Sequence, residues 1–238
     1  MRIVNAIWEK RNLGVNVQEF YLCDDDYEKL EDELLKLDAP YQVAKVVGGS
    51  FRVLEELQKR GFLYIEDQIT MCHLLNDVYR TAIHQRMQES VGFRLMNDRD
   101  FEEMLYEVDQ GMFDTDRIAL DERFGMEISA KRYHNWICDL NEQGIRPYAF
   151  VYKDRVCAFV ILRPKESGVF QSVLGGFYKE FRGTGLGVVQ KEMDIVKSLH
   201  GKRIVSSVSS NNILQMRAMC LNGYIPSETD HVLIRHLN

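Results

Sequence analysis

The sequence predicts an α/β fold, and three observations carry that expectation. Short apolar runs of strand length alternate with segments whose apolar residues recur at helical intervals, along the whole chain. A glycine-rich turn, Arg182-Gly183-Thr184-Gly185-Leu186-Gly187, sits between one such run and one such helix. The 238 residues are 45% apolar and 28% charged, ordinary proportions for a globular protein with room for a sizeable core.

In the first third, Ile3 to Ile7 is short and apolar, and Leu13 to Leu22 alternates as a strand does, with Val15, Val17, Phe20 and Leu22. Asp24-Asp25-Asp26 is a helix start, and Tyr27 to Leu37 carries Leu30, Leu34, Leu35 and Leu37 before Asp38 to Pro40 ends it. Val43 to Val47 reads as a buried strand. Gly48-Gly49-Ser50 then turns into a helix with Phe51, Leu54 and Leu57, closed by Gly61, and Phe62 to Leu74 is a further strand. This order predicts an N-terminal α/β domain over residues 1–75, followed by a connector helix over 76–91, where Asn76 to Ser90 is charged and helix-friendly.

From residue 92 a second domain begins. Phe93 to Met96 is a strand, and Asp98 or Asp100 caps a helix bearing Phe101, Met104, Leu105 and Val108. Glu127 to Gln143 forms a second helix, with Tyr133, Trp136, Ile137 and Leu140 on one side and Gly144 at its end. Tyr148 to Tyr152 and Arg155 to Leu162 are strands joined by the two-residue turn Lys153-Asp154. Val169 to Tyr178 is the next strand. Beyond the glycine turn come a helix with Leu186, Val189, Met193, Val196 and Leu199, a strand from Arg203 to Val208, a helix from Asn212 to Leu221 and a last strand from His231 to Leu237. No internal repeat is evident in the residues.

Composition excludes some functions. A formal net charge of −6 argues against a general nucleic-acid binder. No apolar run approaches the roughly 18 residues of a membrane span, and the first twelve residues lack a secretory apolar core, so no membrane partner is expected. Cys23, Cys72, Cys138, Cys157 and Cys220 are scattered and odd in number. They read as reduced thiols of a cytoplasmic protein, and the histidines have no ligand spacing, so no metal is expected.

The turn at 182–187 is where chemistry concentrates. A glycine-rich turn entering a helix leaves several N–H groups pointing one way, and with the helix dipole they suit a pyrophosphate. Side chains there would block the phosphate oxygens. No Gly-Lys-Ser/Thr closes it as in a P-loop, and it lacks the dinucleotide Gly-x-Gly-x-x-Gly form.

Arg-x-x-Gly-x-Gly after a strand resembles the pyrophosphate loop of the GNAT acetyltransferases. The strand, two helices, three strands, helix, strand, helix, strand order is similar to theirs, as are Asn212 and, eleven residues on, Gly223-Tyr224. The resemblance implies a GNAT fold over 92–238 with a mixed, mostly antiparallel, splayed sheet, and acetyl-coenzyme A as cosubstrate. Carried onto this sequence, Gly183, Thr184, Gly185, Leu186 and Gly187 bind pyrophosphate through backbone amides, and Arg182 shapes the loop or pairs with phosphate. Phe177 and Tyr178 pair by main chain with the pantetheine arm, one of their amides serving the oxyanion, and Asn212 bonds the coenzyme.

A narrower likeness covers nearly the whole chain. Trp8-Glu9 with Leu13-Gly14-Val15-Asn16, the Leu54, Leu57, Gly61-Phe62 helix end, and Phe124, Tyr133, Trp136-Ile137 resemble bacterial TDP-fucosamine acetyltransferases. That implies transfer of an acetyl group to the amine of a nucleotide-linked aminosugar, with Arg117, Arg123, Lys131 and Arg132 as charge opposite its diphosphate. The sequence departs where the family's proposed acid, a tyrosine seven residues after the Asn, is replaced by Met219, which has no proton to give. The catalytic residues therefore stay unassigned; Cys220, Tyr178, Tyr224, Glu180, Glu127, Asp121 and Asp116 are the substitutes within reach of the loop or the acceptor side.

The expected function is acetyl-coenzyme A-dependent N-acetylation of a small-molecule primary amine by direct transfer. The alternatives are a peptide, lysine or metabolite acetyltransferase, or a coenzyme-binding module with little catalysis. A homodimer is left open.

Overall fold

The computed structural model describes residues 1–75, 81–184 and 186–237. Its elements are β1 (Arg2–Asn5), α1 (Lys10–Leu13), β2 (Val17–Leu22), α2 (Leu30–Leu34), β3 (Tyr41–Val47), α3 (Phe51–Lys59), β4 (Leu63–Leu74), α4 (Ala82–Glu89), β5 (Val91–Leu95), α5 (Asp98–Asp109), α6 (Arg117–Leu120), α7 (Gly125–Glu142), β6 (Tyr148–Tyr152), β7 (Arg155–Pro164), β8 (Val169–Phe177), α8 (Val188–Ser198), β9 (Arg203–Ser209), α9 (Ile213–Leu221) and β10 (Ile225–His236). The strands form one ten-stranded sheet in the order β1-β2-β3-β10-β4-β9-β8-β7-β6-β5. Among the described residues only β2–β3 and β8–β9 pair in parallel. The fold is α/β with a mixed, mostly antiparallel sheet, as the sequence predicts.

Most local expectations have visible causes. Lys153 and Asp154 both hold positive φ (47° and 61°), the geometry of the hairpin turn that matches strand twist. Several details differ. The cap of α5 is Asn97, whose side chain accepts from the Asp100 amide at 2.9 Å while Asp100 reaches back to the Asn97 amide at 3.1 Å; Asp98 is already helical. In place of one helix from Tyr27, a 3₁₀ stretch over Asp24–Lys29 precedes a short α2. Leu13 closes α1 instead of opening β2. On α3 the buried residues are Val53 and Leu57, and Phe51 faces out. A short helix, α6, precedes α7, and β10 starts at Ile225, six residues earlier than expected.

The sheet holds a duplication that the residues hide. Strand β3, helix α3 and strand β4 have 7, 9 and 12 residues, and so do β9, α9 and β10. A constant shift of 162 positions carries Tyr41 to Arg203 and Leu74 to His236. The pairing obeys the same rule. Asp230 opposite Val47 is matched by Gln68 opposite Ser209, and Ile225 opposite Cys72 by Ile234 opposite Leu63. Gly61 and Gly223 end the two helices at φ 82° and 85°, each followed by a buried aromatic, Phe62 or Tyr224. The sheet therefore has an approximate two-fold axis between β10 and β4. Each half's last strand inserts beside the other's, so β10 lies between β3 and β4, and β4 lies between β10 and β9. Residues 1–75 and 92–238 share this one sheet.

Candidate coenzyme and acceptor site

The two halves part company at their parallel pairs. β2 and β3 stay paired over all six residues, from Val17 opposite Tyr41 to Leu22 opposite Val46. β8 and β9 pair only from Val169 opposite Arg203 to Ser172 opposite Ser206. Beyond Ser172, β8 continues to Phe177 on β7 alone, with a register shift between Ser172 and Leu174. The parallel strands therefore splay, leaving a V whose mouth opens towards the C-terminal ends of both.

The ladder shows which backbone groups line that V. The Tyr178 amide donates to Cys157 O at 3.0 Å, and bonding alternates along an antiparallel pair. Phe177 opposite Ala158 and Gly175 opposite Val160 are then the non-bonded pairs, with their N–H and C=O turned from β7 into the V. Tyr178 itself is committed: its amide holds Cys157 and its carbonyl accepts from Phe181 at 2.9 Å. Main-chain pairing across the V thus falls to Phe177 and to Gly175, a residue that sequence reasoning missed. A side chain at Gly176 would run into Met112, which packs directly over it. Gly176→Val is expected to cost about 1–3 kcal/mol through overpacking, read as a lower midpoint in denaturant.

The glycine turn lies at the mouth of the V. A 3₁₀ turn over Lys179–Phe181 follows β8, and buried Phe181 anchors it. Gly183 takes φ 75°, which the turn requires, and Gly187 is the N-cap of α8. The Thr184 hydroxyl donates to Phe181 O at 2.7 Å, so it ties the turn together and does not face outward as a free donor. The amides of Gly183, Leu186 and Gly187 have no acceptor among the described residues, at the positive end of an eleven-residue helix. Gly185 lies outside the described residues. Arg182 is exposed and donates to Met112 O at 3.4 Å, bracing the turn against the segment that covers Gly176. α4 crosses the start of α8: a side chain at Gly187 would meet the Gln88 backbone at 2.9 Å. The corresponding connection in the other half opens with Asp24-Asp25-Asp26 and has no glycine. Only one of the two halves has both a splay and an amide cradle.

Asn212 caps α9, its side-chain oxygen accepting from the Gln215 amide at 3.0 Å; its NH₂ stays available on that side. Met219 is buried, and the duplication explains it: its mate 162 residues earlier is Leu57, a core residue. Cys220 is exposed. Glu180 forms an exposed pair with Arg155 at 2.7 Å. The hydroxyls of Tyr178 and Tyr224 are buried without partners, and burial pushes both phenols up. Near Tyr224, burial raises the Glu192 carboxyl to about 7, against a bond from Ser172 that lowers it.

On the face carrying α6 and α7, two of the four basic residues expected to meet a diphosphate are paired internally. Arg117 is buried and pairs with Glu19 at 2.6 Å and Glu9 at 3.4 Å; Arg132 pairs with Glu9 at 2.8 Å and Asp116 at 3.4 Å. Lys45 reaches Glu19 at 3.3 Å. Burial works against ionised Glu19, yet Arg117 and Lys45 hold it below the usual carboxylate range. Arg123 and Lys131 remain exposed. Asp121 accepts from the Arg123 amide and pairs with His236 at 2.7 Å, and Glu127 is exposed. Glu66 on β4, which sequence reasoning passed over, takes the Arg117 amide at 3.2 Å on one oxygen and has no partner on the other. Nothing in the local sequence signals this network, because its members are spread from residue 9 to residue 132. No helix among the described residues is long and apolar enough to cross a membrane, and no group of potential metal ligands occurs among them.

No family model matches the chain, and no curated protein matches it by sequence. Solved structures do. It aligns with a GCN5-related N-acetyltransferase from Sphaerobacter thermophilus at a TM-score of 0.62 and 13% identity, over 98% of this chain and 75% of that one. A GNAT-family acetyltransferase from Colwellia psychrerythraea gives a TM-score of 0.55 at 10% identity, over 90% and 72% of the two chains. A GCN5-related N-acetyltransferase from Kribbella flavida gives 0.52 at 12%, over 94% and 82%. These likenesses show a GNAT fold.

Proposed function

We propose that the chain is an acyl-coenzyme A-dependent N-acetyltransferase. One observation carries the reading: among the described residues, the splayed parallel pair β8–β9 leads directly into a glycine turn with open amides, whereas β2 and β3 stay paired and their connection has no glycine. A pantetheine arm pairs with the open backbone of Gly175 and Phe177, and its pyrophosphate takes the amides of Gly183, Leu186 and Gly187, with Thr184 and Arg182 holding the turn and Gly185 completing it. Asn212 offers its NH₂ from the far side of the V. Holding acetyl thioester and amine together supplies much of the acceleration, which suits a site where Met219 stands in place of an acid.

The test is calorimetry with acetyl-coenzyme A. Gly183→Asp places a carboxylate beside the cradle at a positive φ, and should weaken binding about tenfold or more, at a cost to stability near 1 kcal/mol. Equal affinity in a folded variant removes the loop from the reading.

A nucleotide-linked aminosugar as acceptor draws support from the sequence resemblance alone. Its diphosphate needs free donors, and the internal pairing of Arg117 and Arg132 weighs against it. The alternative of a coenzyme-binding module is favoured by one observation, the burial of Met219 in the core. Tight acetyl-coenzyme A binding with no thiol release across amines and peptides supports that module.

A further inference from the structure

We propose that Glu66 is the docking carboxylate for the acceptor's ammonium, and that the acceptor is a small cationic amine held at a site to which both halves contribute. This rests on the acetyltransferase reading above.

Place is the first argument. β4 pairs with β9 up to Gln68 opposite Ser209, and Glu66 lies just beyond that pair, at the end of β9 that borders the mouth of the V. The Ser209 hydroxyl faces Glu66 and bonds Thr115 O at 2.8 Å. The Tyr133 hydroxyl bonds with Asp116 and feels the charge of Glu66, and its ring meets that of Phe113 at a tilt of 35° with centroids 4.4 Å apart.

Charge is the second. Glu9, Glu19, Glu66 and Asp116 face Arg117, Arg132 and Lys45, so the cluster holds one carboxylate more than it has cations. Glu66 is 2% exposed, and its second oxygen has only the Ser209 hydroxyl near it, whose proton is given to Thr115 O. A buried carboxylate left this way is costly unless it takes up a proton or a cation arrives.

The duplication supplies the third. The two-fold mate of Glu66 is also a glutamate, Glu228, and it is exposed. The strand position does not require burial; only the copy beside the splayed half encloses its carboxyl.

Burial pushes the Glu66 carboxyl up, with Ser209 and Arg117 opposing and Asp116 adding to the rise. An arriving ammonium favours the ionised form. The ammonium gives one proton to Glu66, which passes it to solvent. The neutral nitrogen attacks the thioester carbonyl, the C–N bond forms and the C–S bond breaks. The nitrogen's second proton goes to the departing sulfur, leaving amide and free thiol.

The experiment measures thiol release from acetyl-coenzyme A with primary alkylamines and diamines, glucosamine and a TDP-linked aminosugar, alongside calorimetry with acetyl-coenzyme A. Wild type should prefer the alkylamines and diamines. Glu66→Gln keeps shape and the bond from Arg117; it should bind acetyl-coenzyme A as before, raise the amine KM about tenfold or more, and flatten the acid limb of kcat/KM against pH. Glu66→Asp should recover part of the loss. Acetyl-coenzyme A binding with turnover of the diphosphate sugar alone overturns the proposal whether or not the variants fold, as does an unchanged KM and pH profile in Glu66→Gln. Failure of wild type to bind acetyl-coenzyme A brings down the parent reading and this one with it.

Discussion

Residues 92–238 expressed alone should fail to fold, although they contain the whole glycine turn and the splayed pair. β10 has two neighbours in the sheet, β3 and β4, and both come from the first 75 residues. β9 would lose β4 as well, and so face solvent along the edge opposite β8. The apolar residues of β10 that are buried in the whole chain, Val232, Leu233 and Ile234, would be exposed together. At about 1.5–3 kcal/mol for each buried aliphatic side chain, those three alone approach the whole stability of a typical domain. The expected result is a fragment without a cooperative melt, which recovers one when residues 1–75 are added in trans. A fragment that melts cooperatively on its own would show that the first half is dispensable to the sheet.

Arg117→Ala should destabilise the protein by about 3–5 kcal/mol, because it removes the one guanidinium that two buried carboxylates share and leaves each with a single cation. Glu9 and Glu19 both lean on that guanidinium, and Lys45 and Arg132 each serve only one of them. For a chain of this size the melting temperature should fall by roughly 6–20 °C. The loss depends on pH. Glu19 has a folded pKa held below its unfolded one, so its contribution is present above the unfolded pKa and disappears as pH falls through the folded value. The gap between wild type and variant should therefore be widest near neutrality and narrow in acid. Equal denaturant midpoints at pH 7 would mean that the cluster reorganises at no cost.

What could be read from the residues was local. The glycine turn, the helix after it and the Lys153-Asp154 hairpin each rest on a few adjacent residues with one physical solution, and they stand where expected. α6 was missed because four residues span barely one helical turn, too few for an apolar face to recur. The start of β10 was missed because Ile225 to Asp230 is polar and carries Pro226 beside a register shift, so it lacks the alternation of a half-buried strand. The duplication was invisible for a different reason. Between 41–74 and 203–236 only Val43/Val205, Val46/Val208, Gly61/Gly223 and Glu66/Glu228 are identical; the elements keep their lengths, and Leu57/Met219, Phe62/Tyr224, Met71/Leu233 and Cys72/Ile234 keep burial without identity. The site divides the same way. The amide cradle is a property of consecutive residues, whereas the splay depends on where β9 stops following β8, and the surroundings of Glu66 depend on which strand lies next to β9.

Strand exchange across the two-fold axis also sets a clock on synthesis. β3 and β4 leave the ribosome early, but the strand that fills the slot between them ends at His236. At typical translation speeds the slot stays vacant for about 8–30 s, with both of its edges offering unpaired amides and carbonyls. β10 from a neighbouring nascent chain has the register and apolar residues to fill it in the meantime. Such an intruder would make the same contacts as the proper strand, so a swapped dimer would be nearly as stable as the monomer and would not correct itself. Yield from crowded polysomes, and its response to holding chaperones, should therefore be limited by β10 rather than by the glycine turn.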